Sequence, residues 1–214
     1  MEGKSNACLT ELKHLSHLTA LDIQIPDAKL LPKDIVFDNL MGYRIFVVDV
    51  WIWEKNHKTN RTLKLNKFHT SLHLVDGFSK LLKRTEDLHL RELCGGTNFL
   101  SKLDGEGFFK LKHLNVESSP EIQYIVNSMD LTSSWCLSCY GDIVSQSADQ
   151  LARSMPWPIS SRVLWLLEKV EVEDCDNLKF LFSFSMTRSL SRLEEIKVTR
   201  CKSMDEIVSQ GGKK

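Results

Sequence analysis

Residues 167–182 read LEKVEVEDCDNLKFLF and residues 193–208 read LEEIKVTRCKSMDEIV, and the two align without a gap at an offset of 26. Leu167 falls on Leu193, Glu168 on Glu194, Val170 on Ile196 and Val172 on Val198. Cys175 falls on Cys201, Leu178 on Met204 and Leu181 on Ile207. A third copy stands upstream, LKHLNVESSPEIQYIV at residues 111–126, with Leu114, Val116, Ile122 and Ile125 at the apolar positions and Ser119 in the place of the cysteines. Apolar and polar residues alternate at period two in the first half of each copy, the mark of a short strand with one buried face.

The shared form, LxxLxLxx(C/S)xxLxxL, has the shape of a leucine-rich repeat, whose period is roughly 20–29 residues. Weaker copies reach toward the N-terminus: Leu15, Leu18, Leu21 and Ile23; Leu40, Tyr43 and Ile45; Leu63-Lys64-Leu65; and Thr85, Leu88 and Leu90. With strand centres at 21, 43, 63, 88, 114, 170 and 196, the steps are about 22, 20, 25, 26, 56 and 26 residues. One repeat cannot bury its own leucines, so copies stack and their strands form a parallel ladder. The expected fold class is α/β: a leucine-rich-repeat solenoid with a curved parallel sheet on its concave face and short helices and loops on the convex one. The small Cys or Ser past each strand is expected to be buried and to satisfy backbone groups where the chain turns away.

The expected organisation is an N-terminal block of repeats over 1–126, an irregular insertion or disrupted repeat over 127–165, a C-terminal block over 166–210 and a tail over 211–214. The doubled step from 114 to 170 leaves room for a repeat, yet 127–165 offers no copy of the pattern, and Met155-Pro-Trp-Pro158 obstructs a central strand. Asp142 to Ala152 is expected to form a short amphipathic helix, and Trp51 to Arg61 a polar loop.

Stacking predicts which charges meet. Aligned residues become cross-strand neighbours, so Lys169 faces Glu195, Glu171 faces Lys197, Asp174 faces Arg200 and Asp176 faces Lys202, four complementary pairs. The residues between the apolar ones point outward and form the expected protein-binding face: Asp22 and Gln24, Arg44 and Phe46, Lys64 and Asn66, His89 and Arg91, Asn115 and Glu117, Glu171 and Glu173, Lys197 and Thr199. Phe46 stands out, because an aromatic on a solvent-facing strand is a typical interface anchor; packing beneath the Trp51–Trp53 segment is the competing reading.

Lys plus Arg equals Asp plus Glu at 28 each, so no global field draws nucleic acid, and basic residues do not interleave with aromatics as a nucleic-acid groove requires. No run approaches the roughly 20 apolar residues of a membrane span, and the N-terminus lacks the layout of a secretory signal. The six cysteines therefore read as reduced thiols of a cytoplasmic protein. Cys136-Leu-Ser-Cys139 has zinc or redox spacing but no second pair to complete four ligands. Neither GxxxxGK[ST] nor GxGxxG occurs, and Asp104 to Gly107 is too short for a calcium loop. His14 and His17 lack a third ligand, and His89 and His113 read as surface residues. No catalytic set, metal or cofactor is expected; the chemistry that remains is binding.

The runs LLKRTEDLHLRELCGGTNFLSKLDGEGFFKLKHLNVESSPEIQYIV and VEVEDCDNLKFLFSFSMTRSLSRLEEIKVTRCKSMDEIV, with ACLTELKHLSHLTALDIQIPDAKLLPKDIVFDNL at the N-terminus, resemble the repeat domain of plant coiled-coil nucleotide-binding leucine-rich-repeat (NLR) disease-resistance proteins. The resemblance covers the chain except about residues 131–165. It implies a cytoplasmic module of innate immunity that recognises a pathogen effector or guarded host protein, or folds back on a nucleotide-binding switch domain. The chain opens within the repeats, so the phosphate-loop domain and its ATP binding are not carried over. A free-standing adaptor such as a ubiquitin-ligase substrate receptor is the alternative, and it needs a helical segment ahead of the repeats that the residues before Leu9 are too few to supply.

Overall fold

The computed structural model describes residues 9–26, 30, 39–47, 59–67, 76–94, 100, 108, 110–126, 164 and 166–210. Seven short strands make one wholly parallel sheet: β1 (Ala20–Ile25), β2 (Gly42–Val47), β3 (Arg61–Asn66), β4 (Asp87–Arg91), β5 (His113–Glu117), β7 (Lys169–Glu173) and β9 (Glu195–Thr199). They pair in the order β1-β2-β3-β4-β5-β7-β9, each repeat hydrogen-bonded to the next, and the sheet does not close on itself. This is the leucine-rich-repeat solenoid.

Alternation decides the burial. In β5 and β7 the even-numbered residues, Leu114 and Val116, Val170 and Val172, are buried, and the residues between them are half-buried. Successive strands stack these apolar positions into two rows. Ile23, Ile45, Leu63, Leu88, Leu114, Val170 and Ile196 form one; Ile25, Val47, Leu65, Leu90, Val116, Val172 and Val198 form the other. The first row corrects the sequence reading, which centred the first two strands on Leu21 and Tyr43. The ladder pairs Tyr43 with Arg61, two residues before Leu63. A slip of two leaves every side chain on its expected face, so alternation alone could not expose the error. Arg61 disguised the start of β3 by placing a cation at an apolar position, where its Nε donates to the Met41 carbonyl at 3.2 Å. β3 thus begins at the last residue of the expected Trp51–Arg61 loop.

The step from β5 to β7 is also resolved. His113 pairs with Lys169 and Glu117 with Glu173, so no strand stands between these neighbours despite the doubled spacing. The room for a repeat is not filled by one in the ladder. The helix expected at 142–152 and the Pro-Trp-Pro segment lie outside the described residues, as do Cys136, Cys139, Asp104 to Gly107 and the tail.

A second parallel sheet, unforeseen in the sequence, is built from β6 (Tyr124–Val126), β8 (Phe180–Ser183) and β10 (Val208–Ser209), in the order β10-β8-β6. Tyr124 stacks on Phe180 across it, ring centres 5.3 Å apart. Ile122, Ile125, Leu178, Leu181 and Phe182 join the main-sheet leucines in one continuous core. The helical content of the described residues is slight: α1 (Asp76–Arg84) and two 3-10 segments, Leu9–His14 and Phe184–Ser189. His14 closes the first of these and His17 lies in the turn beyond, so the two do not share a helix face.

Five of the seven main-sheet strands end in the same device. The residue just past β3, β4, β5, β7 and β9 (Lys67, Glu92, Ser118, Asp174 and Arg200) takes a left-handed backbone, φ between 49° and 54°. None is glycine, so each carries strain of about 1–2 kcal/mol. Packing and hydrogen bonding hold the bend: the Glu92 N–H donates to the Glu117 carbonyl at 3.1 Å, Ser118 to Glu173 at 2.9 Å and Asp174 to Thr199 at 3.1 Å. After β5, β7 and β9 the next residue is Ser119, Cys175 and Cys201 respectively, which donates back to the last strand carbonyl: Ser119 Oγ to Glu117 at 2.9 Å, Cys175 Sγ to Glu173 and Cys201 Sγ to Thr199, both at 3.4 Å. The same side chains take an N–H from the preceding repeat, as where Leu93 donates to Ser119 Oγ at 3.1 Å. The small residue thus satisfies backbone groups where the chain turns away, as expected, and is buried at 119 and 175 but half-buried at 201; its tie of repeat to repeat goes beyond that expectation.

Candidate protein-binding face

The outer face of the main sheet carries three rows of side chains. The middle row is Gln24, Phe46, Lys64, His89, Asn115, Glu171 and Lys197. Asn66, Arg91, Glu117, Glu173 and Thr199 form a row beyond it. The third, on the near side, is Asp22, Arg44, Thr62, Asp87, His113, Lys169 and Glu195. From this near row the sequence reading took only Asp22 and Arg44 into the binding face. The omitted members stand two residues before the chosen ones on the same parity, so the alternation contained them.

Exposure divides this face. Gln24 and Arg44 are exposed, but Phe46 and Lys64 are each 1% exposed, and Thr62 and Asp87 are buried. Phe46 is therefore not a solvent-facing anchor. It lies under the Lys64 ammonium, which sits 5.2 Å from the ring centre in cation–π contact, and neither side chain is offered to a partner. From β4 onward the face opens: His89, Arg91, Asn115, Glu117, Glu171 and Glu173 are half-buried, and Lys197 is exposed. Asn66 and Thr199 are half-buried as well. Apart from exposed Asp22, Gln24 and Arg44 on β1 and β2, the accessible side chains thus form a continuous patch over β4, β5, β7 and β9.

Its charges are internally paired. Lys169 Nζ lies 3.1 Å from Glu171 and 3.0 Å from Glu195, and Lys197 lies 3.8 Å from Glu171. Asn115 Nδ2 donates to Glu171 Oε2 at 3.1 Å. Burial works to raise the Glu171 pKa, but hydrogen bonds from Lys169 and Asn115 and the nearby ammonium groups outweigh it, and the carboxyl titrates below its ordinary range. Hydrogen bonds to Glu195 and Glu171 raise Lys169 in turn. Arg200 donates to Asp174 at 2.6 and 2.9 Å and reaches Glu173 as well; its hydrogen bonds hold Asp174 below the usual carboxylate range. Lys202 meets Asp176 at 2.8 Å. All four cross-strand pairs expected from the repeat alignment are formed. Arg91 stands 3.6 Å from Glu117.

The histidines are less bland than expected. His89 Nε2 lies 3.0 Å from the buried Asp87 carboxylate, and His113 Nε2 lies 3.8 Å from Glu168. Among the described residues no group of His, Cys, Asp and Glu side chains is placed to hold a metal ion. Burial pushes the Cys175 thiol up to about 12 against a backbone N–H from Ser119, and raises Cys201. These are thiols of the packed turn with little thiolate to offer. No described helix is long and apolar enough to cross a membrane.

A parallel strand ladder with period-two burial, left-handed exits from five of its strands and a Cys or Ser tie after the last three defines the class: leucine-rich-repeat proteins. Within it, residues 154–211 match the family profile described as plant disease resistance protein RPS2-like, leucine-rich repeats. Searches of curated proteins and of solved structures return no match.

Proposed function

We propose that the chain is a protein-interaction module of plant immunity and that it engages its partner through the sheet face over β4, β5, β7 and β9. The accessibility of this patch carries the reading, because it is the part of the face where polar side chains of four successive repeats stand together within reach of another surface. The RPS2-like match over 154–211 supports the immune setting. In this reading the partner is a pathogen effector, a guarded host protein or the nucleotide-binding domain of a receptor, and the module is cytoplasmic, non-enzymatic and without cofactor. Because the charges of the patch already satisfy one another, a partner gains by exchanging ion pairs rather than by meeting a bare field, so binding contributes specificity more than raw affinity.

A titration tests this, with the recombinant nucleotide-binding domain of an RPS2-like receptor as the first probe and candidate effectors as further ones. Wild-type chain binds one of these, the Glu117→Arg/Glu173→Arg variant loses at least tenfold in affinity, and Lys179→Glu, exposed just before β8, binds as wild type. Binding that the double variant leaves intact would place the interface elsewhere.

A further inference from the structure

The two ends of the solenoid differ. At the N-terminal end Leu9, Leu12 and Leu18 pack against the core from the first 3-10 segment and the turn after it. At the other end β9 is the last strand of the main sheet among the described residues, and its repeat is less covered than the one before it. Ile196 is 39% exposed and Ile207 48%, with Leu193, Val198 and Met204 only partly covered. The equivalent residues one repeat earlier, Val170, Leu181, Leu167, Val172 and Leu178, are buried. An apolar surface beside a strand edge that no described strand pairs is a template for another strand.

We propose that the 214-residue chain forms a two-fold dimer in which β9 pairs antiparallel with β9 of a second copy, centred on Ile196. Charge selects both the partner and the register. In this register Glu195 lies opposite the second copy's Lys197, and Lys197 opposite its Glu195, while Ile196 meets Ile196. Within one chain Lys169 already pairs with Glu195, and Glu171 with Lys197. The dimer therefore continues each row without a break in alternation: Lys169, Glu195, then Lys197 and Glu171 of the second copy. Centring on Lys197 instead sets two ammonium groups face to face. Stacking β9 head-to-tail on β1 in the register of the ladder brings Glu195 against Asp22, two like charges, on an end that Leu9, Leu12 and Leu18 already cover in part. The two-fold axis is normal to the sheet, so both outer faces point the same way and the assembly offers two binding patches.

Light scattering on the purified chain across a concentration series tests this. The expected mass is twice the 24.6 kDa of one chain, and Ile196→Lys is monomeric with an unchanged circular dichroism spectrum. Glu195→Lys alone and Lys197→Glu alone are each monomeric, since each sets like charges across the joint. An equimolar mixture of these two variants recovers the dimer, because the two lysines that one variant carries on β9 then face the two glutamates of the other. That recovery cannot come from damage within a chain, where both variants have lost their contacts to β7. A wild-type chain that stays monomeric throughout, a dimer that survives Ile196→Lys, or a mixture that fails to associate overturns the proposal.

Discussion

Replacing Ser119 with alanine probes the tie between repeats at a fully buried point. Ser119 is fully buried, donates to the Glu117 carbonyl at 2.9 Å and accepts the Leu93 N–H at 3.1 Å. The Glu117 carbonyl keeps a second donor, the Glu92 N–H at 3.1 Å, so losing the hydroxyl removes one bond there, worth about 1 kcal/mol. The Leu93 amide is left without that acceptor in a buried site, which adds about 1–3 kcal/mol. The expected loss is about 2–4 kcal/mol, read as a lower urea midpoint at constant slope. Ser119→Cys stays within about 1 kcal/mol of wild type, because the equivalent position holds cysteine at 175 and 201. Hydrogen exchange localises the effect: the Leu93 amide loses protection in the alanine variant and keeps it in the cysteine variant. An alanine variant within about 0.5 kcal/mol of wild type, or unchanged exchange at Leu93, refutes the reasoning.

Three further outcomes follow from the same geometry. Glu171 has a depressed folded-state pKa, so its stabilisation is present above the ordinary carboxylate range and is lost as pH falls through the folded value; the urea midpoint drops on acidification, and Glu171→Gln shows a smaller drop. Tyr43, whose hydroxyl bonds the Leu81 carbonyl at 2.9 Å and Thr85 at 3.0 Å, is pushed by burial to about 12; its neutral form favours the fold, so stability declines as pH rises above the ordinary tyrosine value, and Tyr43→Phe lowers stability at neutral pH by about 1–2 kcal/mol while removing the late phase of an ultraviolet phenolate titration. Iodoacetamide followed by peptide mapping labels exposed Cys94 in the native protein at least tenfold faster than buried Cys175, and comparable rates would contradict the burial of that turn.

The C-terminal repeats were readable because their spacing, their cysteines and all four charge pairs repeat together, and only one register satisfies the three at once. The first two repeats lack that redundancy. Leu21, Ile23 and Ile25 offer three alternate apolar positions, so a two-residue slip satisfies the same pattern, and the true register rests on contacts such as that of Tyr43 with Thr85, 42 residues away. The binding face was legible as a parity but not as an exposure. Burial of Phe46, Lys64, Thr62 and Asp87 depends on tertiary covering that alternation does not encode. The three-stranded sheet was hidden for a related reason: strands of two to four residues are too short to establish a period.

Adjacency of β5 and β7 is the claim on which the continuous face rests, since it joins the patch across 56 residues of sequence. Asn115 and Glu171 are direct cross-strand partners, so cysteines placed at both lie within the roughly 4.4–6.8 Å Cα range a disulfide spans. Oxidation of Asn115→Cys/Glu171→Cys, followed by non-reducing peptide mapping, is predicted to give the 115–171 link within a single chain. Failure to form it, while the equivalent Glu171→Cys/Lys197→Cys pair closes, would contradict the account by showing that something separates the two blocks of repeats.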